Sequence, residues 1–572
     1  MLAGVDHGRR RPPQGAGDAG ALAGGLRQPP RYRRDHRPRP IGAGVVTAPT
    51  YLAVDVGTLT ARAGLFDGKG QLLATGTAPL DLQRPEDGQA VYLMDQLWQA
   101  VVEAIRRCTA EAPEAARRVA GLAFDATSSV QLEGLAPALG FDVLCWMDHR
   151  GEAQARTIDA TGHAYLDHLG GSISPEMHLP KLLWVKQAAP EAWAKVTAVR
   201  DLSDALAQRA TGREAHSLCG LACKWPYLPA AEAPWQHDLL AALGIDDLLQ
   251  RGVLTEGGRP VGAVHGHLRP DVAKATGLPA GTPVAIGLID AEAGALGALG
   301  AGFRGRMNQR LALIGGTSTS ILAFARDARR IPGVWGPFRD AVFAGIWMHE
   351  AGLTMAGAAL DAILTHHPAS PGAASAASHQ AVVAAIEAAL AAEGPAFAWR
   401  RHLVPDWLGN RAPLGAGDVR ALATGAGPDT DHRSLLELYY ATARALALQT
   451  RHILLHLNHH GYALDEVTLA GGHRRNPLLK QLYADALGAA LIDVDVDEPV
   501  LLGTAMIAAV AAGHHPTTFD ALDAMAPTHR PVPRRSAWAE AHDLAYAVYL
   551  DLFEARNAAD ERASALRGMG GR

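Results

Sequence analysis

Cysteine is scarce in this chain, whose 572 residues contain only four: Cys108, Cys145, Cys219 and Cys223. So few thiols at irregular spacing exclude a disulfide scaffold and favour a reducing compartment, which indicates a cytoplasmic protein. Cys219 and Cys223 lie four apart, and a helix would bring both to one face. No second ligand pair follows at the spacing of a zinc site, so the sequence gives little support to a metal site there.

Long apolar runs and basic stripes are also missing from most of the chain. No run of about 20 apolar residues is available for a membrane span, and no charged and then apolar leader precedes a small-residue cleavage site. The net charge is −5, and beyond the first fifty residues no basic stripe is interleaved with aromatics. We therefore expect neither a membrane nor a nucleic-acid partner. The Gly-rich P-loop motif with its Lys-Ser/Thr end is missing too, which excludes that kind of nucleotide site.

The length of the chain predicts two large domains, because one hydrophobic core rarely serves so many residues. Hydrophobic residues make up 48% of the sequence, enough for both cores. Residues 1–48 stand apart, since nine arginines against three aspartates give them a charge of +6 and large apolar side chains are almost missing. We expect a disordered extension or a start codon assigned too early, with an anion-binding tail as the alternative.

The strongest local pattern is a β-hairpin over residues 51–66, with a tight turn at Thr58 and a third strand beginning near Gln71. Asp55 stands at the end of the first strand, beside Gly57 and Thr58, whose backbone N–H groups are free to face an anion. This arrangement suits the phosphates of a nucleotide and their Mg²⁺. An ordinary hairpin with a capped turn is the alternative that this segment leaves open.

The residues after the hairpin alternate between helical and strand patterns. Apolar residues at helical spacing over 97–108 precede a short apolar run, residues 119–124, that ends at Asp125. A further strand is expected to enter residues 146–150, and a buried strand over residues 283–288 stops at Asp290, where an alanine- and glycine-rich helix begins. Strand, helix and strand in this order predict an α/β fold with ligands bound at the strand ends.

A second hairpin opens the other half of the chain. Apolar residues 311–314 and 320–324 flank a Gly-Thr turn, and a later strand over residues 467–470 ends in two glycines. Helices are expected over residues 435–458 and 501–512, and another is expected to start near Asn476 and Pro477. The repeated order predicts a duplicated α/β domain with a boundary near residues 298–306.

Several turns and one aspartate supply what phosphoryl transfer requires: backbone donors, a carboxylate near the metal and a base beside the acceptor hydroxyl. Asp290, at the end of a central strand and the start of a helix, is the candidate base, with simple helix capping as the alternative. Three groups of residues are candidate phosphate loops and an adenosine surface: Asp55, Gly57 and Thr58; Gly315, Gly316 and Thr317; Gly471 and Gly472.

Two charged residues and one tryptophan are candidates for binding a sugar. Lys224 and Glu350 could hold sugar hydroxyls by charge-assisted hydrogen bonds, although either could instead form a surface ion pair. Trp146 offers an apolar face to the C–H edge of a sugar, with an ordinary core position as the alternative.

Together, the segments from about residue 50 to about residue 555 resemble the FGGY carbohydrate kinases of the actin-like ATPase superfamily. Within that family they are most similar to the pentulose kinases called D-ribulokinases. The motifs that carry the resemblance are Trp146-Met147-Asp148-His149-Arg150, Ser217-Leu218-Cys219 with Cys223-Lys224-Trp225, Leu288-Ile289-Asp290-Ala291 and Gly409-Asn410-Arg411. His178 departs from the family pattern, which usually has a small or hydroxyl residue there, and this loosens the substrate prediction.

The resemblance implies an α/β fold of two ribonuclease-H-like domains, with sugar and ATP meeting in the cleft between them. It implies a sugar-binding N-terminal domain at residues 49–300, a nucleotide-binding C-terminal domain at residues 301–556 and a tail at residues 557–572. In such kinases the aspartate at the position of Asp290 is the base, and the one at Asp55 helps to hold Mg²⁺. The sugar would be bound by Thr127, Trp146, Asp148, Lys224 and Glu350, and ATP by Gly57, Thr58, Gly315, Gly316, Thr317, Gly471, Gly472 and Asn476.

The implied reaction is ATP-dependent phosphorylation of the terminal primary hydroxyl of a ketopentose, with D-ribulose as the leading substrate and D-ribulose 5-phosphate as the product. L-ribulose, D-xylulose and a pentitol such as ribitol remain alternatives, and the resemblance is compatible with a homodimer. Outside this class, an actin-like ATPase without a sugar substrate and a sugar-sensing regulator are the rivals. The regulator would need a DNA-binding helix pair at the N-terminus, and residues 1–48 have no such pattern.

Overall fold

The computed structural model describes residues 48–254, 257–564 and 566. The expectation for residues 1–48 therefore lies, except for Ala48, outside the described residues. Among the described residues, no helix is both long enough and apolar enough to cross a membrane.

The first half of the described chain contains eleven strands and twelve α-helices. The strands are β1 (Thr50–Val56), β2 (Thr60–Asp67), β3 (Leu72–Pro79), β4 (Val91–Tyr92), β5 (Val119–Ala126), β6 (Val130–Glu133), β7 (Val143–Leu144), β8 (Ala198–Asp201), β9 (Val264–His267), β10 (Pro283–Ala285) and β11 (Leu288–Ile289). The helices are α1 (Met94–Glu111), α2 (Pro113–Ala116), α3 (Ala136–Leu139), α4 (Glu152–Asp159), α5 (His178–Ala188), α6 (Pro190–Trp193), α7 (Leu202–Thr211), α8 (Leu218–Lys224), α9 (His237–Ala242), α10 (Leu248–Arg251), α11 (Pro270–Thr276) and α12 (Asp290–Leu299).

The second half has longer helices around a comparable number of strands. Its strands are β12 (Arg310–Gly315), β13 (Thr319–Ala325), β14 (Trp335–Arg339), β15 (Trp347–Leu353), β16 (His402–Val404), β17 (Leu422–Thr424), β18 (Glu466–Gly471), β19 (Ala490–Asp495) and β20 (Thr528–Val532). Its helices are α13 (Phe303–Arg306), α14 (Gly357–His366), α15 (Ala376–Glu393), α16 (His432–His459), α17 (Pro477–Ala486), α18 (Pro499–Ala511), α19 (Thr518–Met525) and α20 (Ala539–Ser564). Helix α20 thus continues past residue 556, where the sequence predicts the start of a tail.

Two seven-stranded sheets share one topology. The first runs β3-β2-β1-β5-β10-β9 with β11 beside β5, and the second runs β14-β15-β13-β12-β18-β19-β20. In both, an antiparallel hairpin leads to parallel central strands, β1 beside β5 and β12 beside β18, and an antiparallel strand closes the far edge. The predicted duplicated α/β fold and both predicted hairpins are therefore confirmed.

Helices α12 and α18 cross in close backbone contact where the two halves meet. A Cβ atom added to Gly297 would lie 2.0 Å from the carbonyl oxygen of Pro499, and one added to Gly503 would lie 2.0 Å from that of Ala293. Only glycine fits at these two positions, because any side chain would overlap the backbone of the facing helix. Helix α18 also packs against β1 and β5, so an element of the second half covers the first sheet.

One predicted element differs from the structure. A strand was expected over residues 146–150, but β7 ends at Leu144 and the chain then turns. Ser129 Oγ accepts a hydrogen bond from the Trp146 N–H at 3.1 Å, and Asp148 pairs with Arg150 only two residues away. These local bonds hold a turn in place of an extended strand.

Candidate active site

A cavity of about 430 Å³ lies at the carboxyl ends of the central strands of both sheets. The predicted residues that line it are Thr127, Trp146, Lys224, Asp290, Gly315, Gly316, Thr317, Glu350, Gly471 and Gly472. Ligands of open α/β sheets bind at this edge of the sheet. Residues predicted from local patterns more than 300 positions apart in the sequence therefore line the same cavity.

Three aspartates end neighbouring strands of the first sheet. Asp55 of β1 pairs in register with Asp125 of β5, and Asp290 follows β11, which pairs with the end of β5. Asp125 is fully buried, and its Oδ2 accepts a hydrogen bond from Thr504 of α18 at 2.5 Å, while Oδ1 has no hydrogen-bond partner among the described residues. Burial, followed by the charge of Asp55, raises the pKa of Asp125 well above its usual value.

Arg62 is the cation closest to this carboxylate group. Its guanidinium donates one hydrogen bond to Asp55 and another, at 2.6 Å, to Glu498 at the start of α18. Arg62 therefore ties the first sheet to the second half at the edge of the cavity that it lines. The charge of Asp55 is the main cause of the raised pKa of Arg62, which keeps the guanidinium charged.

Asp290 is positioned as a base by the turn from β11 into α12. It is the first residue of the helix, and its Oδ1 accepts the N–H of Ala291 at 2.9 Å. Burial, with Asp55 as the second cause, raises the pKa of Asp290 to about 7. A carboxylate with such a pKa can accept a proton near neutral pH.

Lys224 and Glu350 come together at the other end of the cavity. Lys224 ends α8 and Glu350 lies in β15, and Nζ donates to Oε2 at 3.5 Å. Their relative exposures are 6% and 5%, which excludes the alternative of a surface ion pair. Although burial lowers the pKa of Lys224, the charges of Glu350 and Glu292 more than compensate and leave it raised. The amine therefore stays protonated and donates hydrogen bonds.

A second buried ion pair completes this wall of the cavity and was not predicted. Arg411 donates to both carboxylate oxygens of Glu176 at 3.1 Å. Trp335 lies beneath both cations, with its ring centre 5.2 Å from the Arg411 guanidinium and 4.7 Å from Lys224 Nζ. Arg411 belongs to the quoted Gly-Asn-Arg motif, but Glu176 and Trp335 lie in segments without a recognisable pattern.

The second glycine turn is held from below by a buried histidine. His473 Nε2 donates to the carbonyl oxygen of Gly316 at 2.9 Å, and a Cβ atom on Gly315 would lie 2.3 Å from His473 Cγ. Gly471 has φ of 81°, and a Cβ there would lie 2.6 Å from the carbonyl oxygen of Gly315. A flat, side-chain-free surface of backbone therefore faces the cavity, as phosphates require.

The first glycine turn lies behind the cavity wall. Gly57 donates its N–H to the carbonyl oxygen of Thr60 at 3.1 Å, and Thr58 Oγ1 accepts a hydrogen bond from Trp146 Nε1 at 3.0 Å. Asp55, Gly57 and Thr58 were predicted to bind nucleotide and metal, but they lie one layer behind the residues that line the cavity. Asp55 contacts the lining residue Arg62, and Thr58 contacts the lining residue Trp146.

Two predicted site residues have structural partners outside the cavity. Both carboxylate oxygens of Asp148 accept from Arg150, and Oδ2 also accepts the N–H of Ala90 at 2.7 Å. Asn476 caps helix α17 by accepting the N–H of Leu479 at 3.1 Å. Since these bonds occupy the polar groups that a ligand would need, Asp148 and the side chain of Asn476 serve the scaffold.

Sequence profiles of the FGGY family of carbohydrate kinases match the chain twice, with the N-terminal domain at residues 50–297 and the C-terminal domain at residues 311–512. The chain belongs to the FGGY family of carbohydrate kinases. It is a carbohydrate kinase, and kinases of this family use ATP as the phosphate donor for a small-molecule sugar.

Named relatives span almost the whole chain. An FGGY carbohydrate kinase domain-containing protein of Homo sapiens is 33% identical over 561 residues, which cover 93% of this chain and 98% of the relative. A D-ribulokinase of Saccharomyces cerevisiae is 28% identical over 517 residues, covering 81% of this chain and 72% of its own. Xylulose kinase from Rhodospirillum rubrum has the same fold, with a TM-score of 0.75 at 22% identity, over 89% of this chain and 99% of that structure.

Proposed function

We propose that this FGGY kinase transfers the γ-phosphoryl group of ATP to the terminal primary hydroxyl of a ketopentose, with D-ribulose as the preferred substrate and D-ribulose 5-phosphate as the product. The observation that carries the proposal is the buried Lys224–Glu350 pair in the same cavity as Asp290. The similarity to a D-ribulokinase of Saccharomyces cerevisiae supports the choice of sugar.

The charges at the sugar end of the cavity favour a neutral, polyhydroxylated substrate. Each cation there has a carboxylate partner, Lys224 with Glu350 and Arg411 with Glu176. A sugar acid or a sugar phosphate would add a negative charge that no unpaired cation of this wall balances. Hydroxyl groups both donate and accept, so they can bond to either member of each pair.

In the proposed reaction Asp290 accepts the proton of the sugar hydroxyl as its oxygen attacks the γ-phosphorus. The bond from phosphorus to the bridging oxygen breaks, and ADP leaves with that oxygen. The proton on Asp290 passes to solvent when the cleft opens. Lys224 and Glu350 hold the sugar so that its terminal hydroxyl faces Asp290, which is a contribution of orientation.

The oxygen ligands at the strand ends fit Mg²⁺, which prefers carboxylates and retains water molecules. Asp55 has one cationic partner, Arg62, and Asp125 has a buried oxygen without a partner among the described residues. With the Arg62 guanidinium turned away from it, Asp55 would hold the ion together with the phosphates, and Mg²⁺ would supply charge neutralisation on the transferred group.

The second glycine turn would hold the phosphates at the cavity wall, and the first turn, one layer behind that wall, would reach them only after Arg62 or Trp146 moved aside. Gly315, Gly316 and Thr317 line the cavity, with the Gly316 N–H donated to the carbonyl oxygen of Ser318 at 2.9 Å, and Gly471 and Gly472 offer adenosine a surface without side chains. Arg475 and Arg62 line the same end and add positive charge there.

The proposal keeps two expectations from the sequence, a cytoplasmic location and a homodimer. All four cysteines are free and buried, as suits a reducing compartment.

The test is release of ADP, measured by a coupled assay with ATP and Mg²⁺ held constant, across D-ribulose, L-ribulose, D-xylulose, ribitol and glycerol. We expect the highest kcat/KM with D-ribulose. A higher kcat/KM with another pentulose or pentitol would replace the substrate and keep the enzyme class, whereas an equal rate with and without every sugar would overturn the proposed kinase reaction.

A further inference from the structure

A second cluster of chemistry-bearing side chains lies beneath the cavity, between helices α8 and α12. We propose that Cys219, Cys223 and Glu292 form a buried binding site for a zinc ion. This site is separate from the Mg²⁺ expected at the strand ends and does not depend on the identity of the sugar.

The three side chains converge although they come from distant parts of the sequence. Cys219 and Cys223 lie one turn apart on α8, and Glu292 lies in the first turn of α12. Their two Sγ atoms and a carboxylate oxygen all lie within 4.8 Å of one another. Tetrahedral zinc with its usual bond lengths separates such atoms by about 3.6–3.8 Å, so only small side-chain shifts are required.

An unpartnered carboxylate points to a missing ligand in this cluster. Glu292 is 0% exposed, and neither of its carboxylate oxygens has a hydrogen-bond partner among the described residues. Burial of a carboxyl group without a partner is costly, and native structures usually provide one. A bound cation would provide that partner.

The donor atoms select zinc among the common metal ions. Thiolates are poor ligands for Mg²⁺ and Ca²⁺, while a carboxylate suits Cu(I) poorly; Zn²⁺ accepts both. Binding would release the two thiol protons to solvent. Two thiolates, one carboxylate and Zn²⁺ carry a net charge of −1, compared with −3 for the three charged ligands without the ion. Three protein ligands leave the fourth position to a water molecule.

The position of the cluster gives the metal a structural consequence for the active site. Cys223 precedes Lys224 directly, and Glu292 follows Asp290 by two residues on the same helix. An ion held by both helices would therefore fix the distance between the proposed sugar-binding amine and the proposed base. Since Cys219 and Cys223 are also 0% exposed, we expect the ion to be incorporated while the chain folds.

The test is the metal content of the full chain, purified without chelators from cells grown with added Zn²⁺ or, in a parallel culture, Co²⁺. We expect near-stoichiometric zinc by plasma mass spectrometry. The cobalt protein should show the visible absorption of a tetrahedral site and a thiolate-to-cobalt charge-transfer band. These signals report on the metal without any activity measurement, so they fail or succeed independently of the proposed substrate.

The matched variants are Cys223→Ser, Glu292→Gln and, as the control, Cys108→Ser, which changes another buried free cysteine outside the cluster. We expect loss of the charge-transfer band in Cys223→Ser, a shifted visible spectrum in Glu292→Gln and an unchanged spectrum in Cys108→Ser. If a variant fails to fold, the unaltered chain still decides. Its lack of metal in both cultures, or equal cobalt spectra in Cys223→Ser and the unaltered chain, would overturn the proposal.

Discussion

The two sheets have the same strand order but opposite chemistry at their strand ends. The first sheet has Asp55 and Asp125, paired in register, at the penultimate positions of its central strands. The paired positions that close the second sheet, Gly315 and Gly471, have no side chains at all. The two glycines line the cavity, and the two aspartates lie just behind its lining residues.

This difference shows how two domains of the same fold can serve the two substrates of one reaction, the phosphate acceptor and the phosphate donor. Carboxylates at strand ends can hold a cation and accept a proton, so the first half is suited to the chemistry at the acceptor. Bare backbone donors can approach phosphates closely, so the second half is suited to the donor. The four predictions that follow test this division, from the largest expected effect to the smallest.

Asp290→Asn removes the proposed base while keeping the size of the side chain and its acceptor for the Ala291 N–H. We expect kcat with D-ribulose to fall by about 10²–10⁴-fold, the usual contribution of a general base. ATP affinity and the thermal midpoint should change little. Steady-state kinetics with nucleotide titration measures this, and turnover near the unaltered rate would remove Asp290 from the role.

Lys224→Met removes the cation of the sugar wall and leaves Glu350 without its partner. Loss of a hydrogen bond to a charged group costs about 1.5–3 kcal/mol, so KM for the sugar should rise by roughly 10–100-fold with KM for ATP unchanged. Lys186→Met is the control, since the Lys186–Asp247 pair is partly exposed and outside the cavity. An equal rise of both KM values would argue against a sugar-specific role.

Gly57→Ala and Gly316→Ala compare the two turns directly. A Cβ atom at either position meets its nearest neighbour at ordinary contact distance, 3.5 Å at Gly57 and 3.6 Å at Gly316. We therefore expect unchanged thermal midpoints and a KM for ATP raised by about tenfold in both, if phosphates approach both turns. Gly315→Ala, whose Cβ would clash with His473, should instead lower the thermal midpoint. An effect at only one turn would show that a single half holds the phosphates.

Mild acid should lower the stability of the second half more than that of the first. Burial lowers the pKa of four histidines in the second half to about 4, namely His349, His452, His473 and His542, but of only one described histidine in the first half, His265. The unfolded chain binds their protons from about pH 6.5 downward, so their contribution is complete above that pH and falls between it and about pH 4, by about 1.4 kcal/mol per pH unit for each group.

Hydrogen–deuterium exchange across this range, resolved into peptides by mass spectrometry, should show loss of protection in the second half first. His542→Leu, which removes a buried imidazole without a hydrogen-bond partner among the described residues, should shift the onset to lower pH. His459→Gln, at an exposed position, is the control and should leave it unchanged. Earlier loss of protection in the first half would contradict the prediction.

The sequence predicted the main strands and helices because the patterns that specify them are local. Alternating and continuous apolar runs defined β1, β5 and β12, and the proline after Asn476 marked the start of α17. The same local reasoning failed at residues 146–150, where side-chain bonds to Ser129 and Arg150 make a turn.

The cavity wall was predicted only in part, because it forms where distant segments meet. Lys224 and Glu350 were recognised from the sequence around them. Glu176 and Trp335 become part of the wall only because the side chains of Arg411 and Lys224 contact them across the cleft. Asp148 and Asn476 carried suitable chemistry, but nearby backbone and side-chain groups take up their polar atoms. No local pattern distinguishes a polar group that is free from one that is already bonded.

The glycine crossing of α12 and α18 also sets the distance between two functional groups. Asp290 begins one of these helices, and Thr504, which bonds to Asp125, lies on the other directly after Gly503. With backbone against backbone at Gly297 and Gly503, no side chain can adjust the separation of the two helices. The proposed base and the hydroxyl that bonds to Asp125 are therefore carried by helices whose spacing is set by main-chain contact, so an alanine at either glycine would displace both groups at once.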